Sequence, residues 1–305
     1  MKTMVLGAGS IGSLFAGKLA YQGYDTTAIA REEHVTHINK DGLHVIEDNE
    51  ELISFLKADL APHRLMSDVD LLIITTKAFD NKFVVKQIKN ILKPDIPILI
   101  LQNGMGNEIV FEKAFPNNPV YRAITTEGAE LIKPGTVKHL GHGITQFGIV
   151  NGYTDTYSEE IQDMLRSSGF KTEKKEDIDY YVWVKLLINT AINPLGSILG
   201  VPNGGIFNRS NVQKLFYSTL NEGLEVAQAT LPEYDFSSVP YIVEDVIYKT
   251  SANKCSMLQD LERGRKTEID YLNGYIVRKG YELGIETPVN KALVEIIKKL
   301  ESGHS

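Results

Sequence analysis

A lysine and two asparagines recur at four-residue steps in Trp183-Val184-Lys185-Leu186-Leu187-Ile188-Asn189-Thr190-Ala191-Ile192-Asn193-Pro194. On a helix of about 3.6 residues per turn, Lys185, Asn189 and Asn193 share one face. Leu186, Leu187, Ile188, Ala191 and Ile192 are apolar and point elsewhere. A helix this apolar belongs in an interior, where an ammonium is costly without partners. The spacing therefore stacks the lysine above two amides in an interior cleft. An ammonium held there is a proton source in kind, and an amide offers both a donor and an acceptor. The other reading is a surface lysine snorkelling at a helix edge, with the asparagines capping turns.

A second chemical signal lies at the N-terminus. Lys2 to Leu6 reads as a short buried strand that breaks into Gly7-Ala8-Gly9-Ser10-Ile11-Gly12. Leu14, Phe15, Ala16, Leu19 and Ala20 then recur at helical spacing. In this strand–turn–helix context a G-x-G-x-x-G match is a dinucleotide site. Gly7 makes the tight turn, Gly9 lets a pyrophosphate approach, and Gly12 lets helix and strand pack closely. The helix N-terminus supplies N–H groups and partial positive charge to the phosphates.

A second strand, Thr26 to Ala30, ends where an acid would bind the ribose 2′-hydroxyl of NAD, and this chain has Arg31 there. A guanidinium suits a 2′-phosphate, which favours NADP(H). Glu32 and Glu33 follow at once and weigh against that reading. Asp70 to Thr76 forms another strand ending in Lys77, a further cation at a strand's carboxyl end. Ile96 to Leu101 ends in Gln102-Asn103-Gly104-Met105-Gly106, where Asn103 can serve a ribose or a reacting ketone. Val120 to Leu131 and Thr136 to Val150 read as strands joined through Lys133-Pro134-Gly135 as an edge hairpin. Tyr157 to Ser168 reads as a helix closing the first domain.

From Tyr180 onward helix signals dominate, over 211–231, 239–249, 269–283 and 289–300. Pro194, Pro202, Pro232 and Pro288 punctuate them. Val201-Pro202-Asn203-Gly204-Gly205 can return Asn203 over the lysine cleft. Asn253-Lys254-Cys255-Ser256 begins a loop-to-helix junction, where Ser256 can hold a carboxylate or simply cap the helix. Glu268 matters if the fold brings it near Lys185; otherwise it is a first-turn acid.

Composition narrows the field. The chain has 305 residues, room for two domains, and a formal charge of -7 that disfavours nucleic-acid binding. One cysteine, Cys255, rules out an intrachain disulfide and suits a cytoplasmic setting. The N-terminus carries no signal-peptide pattern, and no apolar run approaches the roughly 20 residues of a membrane span. His34-x-x-His37 and His139-x-x-His142 have ligand-like spacing, but neither is joined by a cysteine or a convincing carboxylate cluster, so no metal is expected.

Together these residues resemble the ketopantoate reductase (2-dehydropantoate 2-reductase) family over nearly the whole chain. The resemblance rests on the glycine turn, Arg31, Lys77, Gln102-Asn103-Gly104-Met105-Gly106, Trp183-Val184-Lys185-Leu186, Asn193-Pro194-Leu195, Pro202-Asn203-Gly204, Ser256-Met257-Leu258-Gln259-Asp260 and Thr267-Glu268-Ile269-Asp270-Tyr271. It implies an α/β protein: an N-terminal Rossmann-type domain over 1–172, then an all-helical domain over 173–305, with a cleft between them. It implies NADPH-dependent reduction of a branched 2-keto acid, 2-dehydropantoate, to pantoate in pantothenate biosynthesis. Lys185 is implied as the catalytic proton donor with Glu268, and Asn189, Asn193, Asn203, Asn253 and Ser256 as substrate-binding. Gly7, Ala8, Gly9, Ser10, Ile11, Gly12, Arg31, Lys77, Asn103 and Ala129 are implied as NADP(H)-binding. A homodimer is left open. Lys254-Cys255 and Glu127 depart from the family pattern and bear on substrate preference. The competing readings are a reductase of another branched 2-keto acid, a β-hydroxyacid dehydrogenase, and a non-catalytic NADP(H) sensor.

Overall fold

The structure is a computed structural model and describes residues 1–62, 68–208 and 210–303. The chain divides into two compact units, Met1–Gln102 with Asn107–Ile178, and Asn103–Gly106 with Asp179–Ser305.

The first unit runs β1 (Thr3–Leu6), α1 (Ser10–Tyr21), β2 (Thr26–Ile29), α2 (Glu32–Asp41), β3 (Leu43–Glu47), β4 (Glu50–Ser54), β5 (Lys57–Asp59), β6 (Leu71–Ile74), α3 (Asn81–Ile88), β7 (Ile98–Ile100), α4 (Asn107–Ala114), β8 (Val120–Thr125), β9 (Gly128–Lys133), β10 (Thr136–Gly141), β11 (Thr145–Ile149), α5 (Ser158–Ser167) and β12 (Thr172–Lys174). Its main sheet has the order β12-β11-β8-β7-β6-β1-β2-β5. Strands from β8 to β5 pair in parallel, and β11 joins antiparallel to β8. Leu6 of β1 stands in register with Ile29 of β2 and Ile74 of β6. The strand order reverses at β1, and open α/β sheets bind ligands at the carboxyl ends beside such a reversal.

A second sheet, β4-β3-β10-β9, was not anticipated from the sequence. The stretches read as single strands over 120–131 and 136–150 each split between the two sheets, at Thr126-Glu127 and at His142–Ile144. The hairpin at Lys133-Pro134-Gly135 lies at the edge of the smaller sheet. β12 pairs with β11, and the first unit extends to Ile178.

The second sheet explains α1. That helix packs on β1 and β2 and also on β3, β4, β9 and β10, and Gly12 through Leu19 are buried without interruption. A polar residue in such a helix needs partners. The Lys18 ammonium donates to both Glu47 carboxylate oxygens at 2.7 and 3.0 Å and stands 5.2 Å from the Phe170 ring centroid. His139 completes the cluster, with Nδ1 2.7 Å from Glu47 Oε1 and Nε2 2.7 Å from Glu127 Oε2. Two carboxylates on one ring require both nitrogens to carry protons, hence an imidazolium. The Glu127 hydrogen bond accordingly raises the His139 pKa against the effect of burial, with Glu47 adding to it. Burial pushes the Glu47 carboxyl up, but Lys18 and His139 outweigh it and hold it below the usual carboxylate range.

His34 is the opposite case. Gly135 N donates to its Nδ1 at 2.8 Å, so Nε2 carries the proton and gives it to Ser13 Oγ at 2.9 Å. Ser13 Oγ donates in turn to the Ala8 carbonyl at 3.1 Å, inside the glycine turn. Burial, helped by nearby His37, lowers the His34 pKa to about 4.

The second unit contains α6 (Ile178–Leu199), α7 (Ser210–Thr230), α8 (Val239–Lys249), α9 (Ser256–Glu262), α10 (Asn273–Leu283) and α11 (Pro288–Ser302), with 3-10 turns at Asn203–Asn208 and Ile269–Tyr271. The helix expected over 269–283 is broken at Leu272, whose φ and ψ are both -104°. Pro194 does not end a helix, as expected, but lies inside α6. By length and composition α6 could also cross a membrane, contrary to the expectation for the chain, but 67% of its most apolar stretch is buried in the protein.

The two histidines make stability fall on both sides of neutrality. His34 is neutral when folded and titrates near 6.5 when unfolded, so its contribution is complete above that pH and is lost as pH falls towards 4. Going from pH 7 to pH 5 should remove about 2 kcal/mol through this group. His139 has a raised folded pKa, so its contribution is complete below 6.5 and is lost as pH rises through that folded value. Urea melts across pH should show both limbs. His34→Gln should flatten the acid one, and an unchanged acid limb in that variant removes His34 as its source.

Candidate active site

The glycine turn is built by close contacts. Gly7 has φ 100°, and a Cβ there would lie 2.6 Å from the Thr76 backbone nitrogen. A Cβ on Gly12 would lie 2.4 Å from the Gly7 carbonyl oxygen and 2.5 Å from Thr75 Oγ1. Gly9 differs: its Cβ would meet nothing nearer than the Gly7 oxygen at 3.9 Å. The fold itself therefore needs Gly7 and Gly12, whereas Gly9 leaves an open approach at the N-cap of α1. No side chain caps that helix start. Ser10 Oγ accepts from Leu131 N of β9 at 3.1 Å, which ties the turn to the second sheet. Ala8 is buried and Ile11 half-buried. Ala129 lies on β9 opposite His139 of β10.

Arg31 is exposed directly after β2 and is the N-cap of α2. Lys77 is half-buried just beyond β6. These two residues follow the strands that flank β1, at the carboxyl edge of the sheet. An open backbone cradle at an uncapped helix N-terminus can receive a dinucleotide's phosphates. Glu127, expected as negative charge near this loop, is instead spent on His139 and on Gly143 N, which donates to it at 3.0 Å.

The end of β7 is fixed by a buried network. Arg122 donates through its guanidinium to the carbonyls of Ile100 at 2.9 Å and Gln102 at 2.6 Å. Gln102 Nε2 donates to the Thr76 carbonyl and to Asn81 Oδ1, both at 2.7 Å. Asn81 Nδ2 donates to Asn107 Oδ1 at 2.9 Å. The residues on either side of the Asn103–Gly106 turn are thereby held in the first unit.

That turn itself belongs to the helical unit. Met105 N donates to the Tyr271 carbonyl at 3.0 Å, and a Cβ on Gly104 would lie 2.5 Å from the same oxygen. Asn103-Gly104 is thus a docked turn, and it sits against the segment that begins with Glu268. Glu268 is buried, and its carbonyl accepts from Tyr271 N at 2.9 Å. Thr267, just before it, donates through N and Oγ1 to Glu301 at 2.7 and 2.6 Å. Tyr275 meets Trp183 of α6 edge to face, with ring centroids 5.8 Å apart. Asn273 Nδ2 donates to the Thr190 carbonyl of α6 at 3.0 Å.

On α6, Lys185, Asn189 and Asn193 lie one turn apart; Lys185 and Asn189 are half-buried and Asn193 is buried. The stripe thus sinks inward along the helix, and its lysine end is less enclosed than the sequence implied. Cys255 Sγ donates to the Asn193 carbonyl at 3.5 Å and contacts Ser197 Oγ at 3.7 Å. Cys255 also accepts from Leu258 N at 3.4 Å and is the N-cap of α9. Ser256 is therefore the first helical residue, exposed, and not the cap. Asn203 N donates to the Asn253 carbonyl at 3.0 Å, and Asn203 Nδ2 to Thr250 Oγ1 at 2.9 Å. Asn203 is buried and Asn253 exposed. One corner of the helical unit so gathers Asn193, Asn203, Asn253 and Ser256. Tyr271 and its neighbours join Asn103 and Glu268 to α6. Sequence reading quoted Gln102 and Tyr271 within motifs without giving them a role and missed Asn273, for which Pro194 in the α6 pattern was the one signal.

Glu47, His139 and His142 place ligand atoms within 4.8 Å of one another. A cation there would have to displace the Lys18 ammonium and a proton of His139, so the cluster is already balanced in charge. His34 and His37 diverge, one buried and the other exposed.

A family described as Ketopantoate reductase PanE/ApbA matches residues 3–152, and its C-terminal counterpart matches residues 177–301. The chain is 37% identical over 304 residues to a 2-dehydropantoate 2-reductase of Pyrococcus horikoshii, covering 99% of this chain and 98% of that one. It is 33% identical over 305 residues to one of Vibrio cholerae, covering 100% and 99%. Among solved structures it is similar to a PanE/ApbA family ketopantoate reductase from Ralstonia eutropha, with TM-score 0.93, 27% identity and coverage of 100% and 99%. It is also similar to D-mandelate dehydrogenase solved with NADH and anilino(oxo)acetate, with TM-score 0.91, 30% identity and coverage of 100% and 99%.

Gly9 and Gly12 can be separated by experiment. Gly9→Ala should fold with an unchanged melting temperature yet bind NADPH at least tenfold more weakly in a fluorescence titration, because the methyl occupies the open approach. Gly12→Ala should melt several degrees lower, because its methyl meets backbone. Tight NADPH binding by Gly9→Ala would remove the turn from the cofactor site.

Proposed function

Because the chain belongs to the ketopantoate reductase family and is an oxidoreductase, we propose that it reduces 2-dehydropantoate to pantoate with NADPH, a step of pantothenate biosynthesis. The observation that carries this reading is the half-buried Lys185 on α6, in line with Asn189 and Asn193, in the same compact unit as Glu268 and the docked Asn103 turn.

In this proposal NADPH, when bound, supplies the hydride to the carbonyl carbon. The ketone oxygen gains negative charge as that happens. Lys185 stabilises the charge and then donates a proton to the oxygen, a role worth roughly 10²–10⁴ in rate. Glu268 accepts a hydrogen bond from the substrate's terminal hydroxyl. The Ser256 hydroxyl holds the substrate carboxylate, and Asn189, Asn193, Asn203 and Asn253 orient the rest of the molecule. Asn103 orients the reacting ketone or the adjoining ribose. Arg31 and Lys77 neutralise the 2′-phosphate, while Gly7 to Gly12 and Ala129 border the dinucleotide. The domain assignment, 1–172 for cofactor and 173–305 for substrate, shifts in this reading to the boundary at Ile178. A cytoplasmic setting belongs to the same proposal.

The likeness to D-mandelate dehydrogenase with NADH favours a second reading, a reductase of a different 2-keto acid. Exposed Lys254, paired with Glu262, marks where the chain leaves the family pattern beside Ser256. A non-catalytic sensor would need the glycine-turn unit but not Lys185, Asn189, Asn193 and Glu268 together.

Oxidation of NADPH and of NADH should be followed against branched and aryl 2-keto acids. The proposal expects 2-dehydropantoate with NADPH to be fastest, and an aryl substrate with NADH to be slow. Lys185→Ala should lower kcat by about 10²–10⁴ while NADPH binding survives. Near-normal turnover in that variant ends the assignment. Arg31→Ala should raise the KM for NADPH about tenfold or more and leave that for NADH nearly unchanged; equal effects on the two would take Arg31 off the 2′-phosphate.

A further inference from the structure

We propose that Asn273 is a positioning residue for the reaction: its amide clamps the proline break in α6 and so holds Lys185 in place against Glu268 and Asn103. This rests on the reading of Lys185 given under Proposed function.

An α-helix joins each carbonyl to the N–H four residues on. Pro194 has no N–H, so the Thr190 carbonyl loses its helical donor, and the proline ring crowds that same carbonyl. Thr190 is fully buried, so water does not replace the missing donor. Its own hydroxyl donates back to the Leu187 carbonyl at 3.0 Å and leaves the problem unsolved. The Asn273 amide solves it from another helix, with Nδ2 3.0 Å from the Thr190 oxygen.

The amide is itself anchored. Asn273 Nδ2 also donates to Asn290 Oδ1 at 2.9 Å. Asn290 Nδ2 donates to Glu222 Oε2 at 2.8 Å and to the Thr219 carbonyl at 3.1 Å. Glu222 accepts from Val289 N and Asn290 N at 2.8 and 2.9 Å, fixing the start of α11. Asn273 and Asn290 are fully buried. Asn273 Oδ1 is buried without a hydrogen-bond partner. With Thr190 O and Asn290 Oδ1 both acceptors, the amide has one usable orientation, and the fold accepts an orphan oxygen to keep it.

The position of this bond matters. It lies between Asn189 and Asn193, where the helix lacks its own bond, so it sets the angle between the half carrying Lys185 and the half carrying Asn193. Asn273 also opens α10, directly after the Ile269–Tyr271 turn that follows Glu268 and receives Met105 N. One amide thereby ties the lysine helix to the segment that carries Glu268 and docks the Asn103 turn.

A double-mutant cycle tests this. Asn273→Ala should lower kcat about tenfold to a hundredfold, the scale of a reacting group displaced by an ångström or less, with NADPH affinity within twofold of the parent. Pro194→Ala gives α6 back an N–H for Thr190, so Pro194→Ala with Asn273→Ala should regain most of the lost kcat. A kcat unchanged in Asn273→Ala, or a double variant no better than the single, overturns the proposal. If Asn273→Ala does not fold, the double variant decides: recovery of soluble, active protein supports the clamp, and continued failure assigns Asn273 to Asn290 alone and overturns it. If the parent protein reduces no 2-keto acid, the functional reading falls, and amide hydrogen exchange still judges the clamp. Exchange over 191–199 should then be faster in Asn273→Ala and restored by Pro194→Ala; unchanged exchange overturns it.

Discussion

A buried carbonyl without a donor costs about as much as a lost hydrogen bond, and this chain places such carbonyls where its functional segments break regular structure. Each is met by a side chain. Ala8, in the glycine turn, accepts from Ser13, which His34 and Gly135 hold in line. Ile100 and Gln102, at the end of β7, accept from Arg122. Thr190, beside the break in α6, accepts from Asn273. Where a turn or a proline frees backbone from its ladder, a buried polar side chain holds it. The orphan oxygens of Gln102 and Asn273 are the cost of having chosen one amide orientation over the other.

Burial of α1 on both sides imposes a second demand. A helix that starts at a phosphate cradle usually shows one face to a sheet and one to water. Here the second sheet removes the wet face, and Lys18 comes inside with it. Lys18, Glu47, His139 and Glu127 alternate in sign along one hydrogen-bonded line, which cancels their charge. That line crosses from α1 to β3 to β10 and on to the link between β8 and β9. It therefore pins the strand on which Ala129 lies to the helix that begins at Gly9.

Much of this was legible in the sequence, for identifiable reasons. β1 and β7 are short apolar runs ended by glycine turns, β6 is a short apolar run, and α8 carries an amphipathic pattern with a proline near its start. The Lys185 stripe was legible because three polar residues at helical spacing stand out in an apolar helix. The second sheet was not: β4 mixes charged and apolar residues, and β8 passes into β9 through Thr126-Glu127 without a proline to mark the crossing. Asn103 follows β7 directly, so chain continuity assigned it to the first unit. Its allegiance to the second depends on the Tyr271 carbonyl, some 170 residues away. Pro194 was read as a boundary because proline seldom sits within a helix, and only a donor distant in sequence makes this one tolerable.

The two units meet the same demand with different chemistry, and the difference suits what each must do. In the sheet unit, buried charges support the helix that starts at the glycine turn, and a cluster that sums to zero leaves the positive end of that helix undisturbed. In the helical unit, the support for α6 is made of amides and carbonyls from Thr190 through Asn273 to Asn290. Its one formal charge, on Glu222, comes last, where it accepts N–H groups at the start of α11 and lies at the positive end of that helix dipole. A full charge in place of the Asn273 amide would add its own field beside Lys185. A neutral clamp holds the lysine helix without adding a charge of its own, and this is a physical reason for the fold to tolerate a proline and repair it with an asparagine.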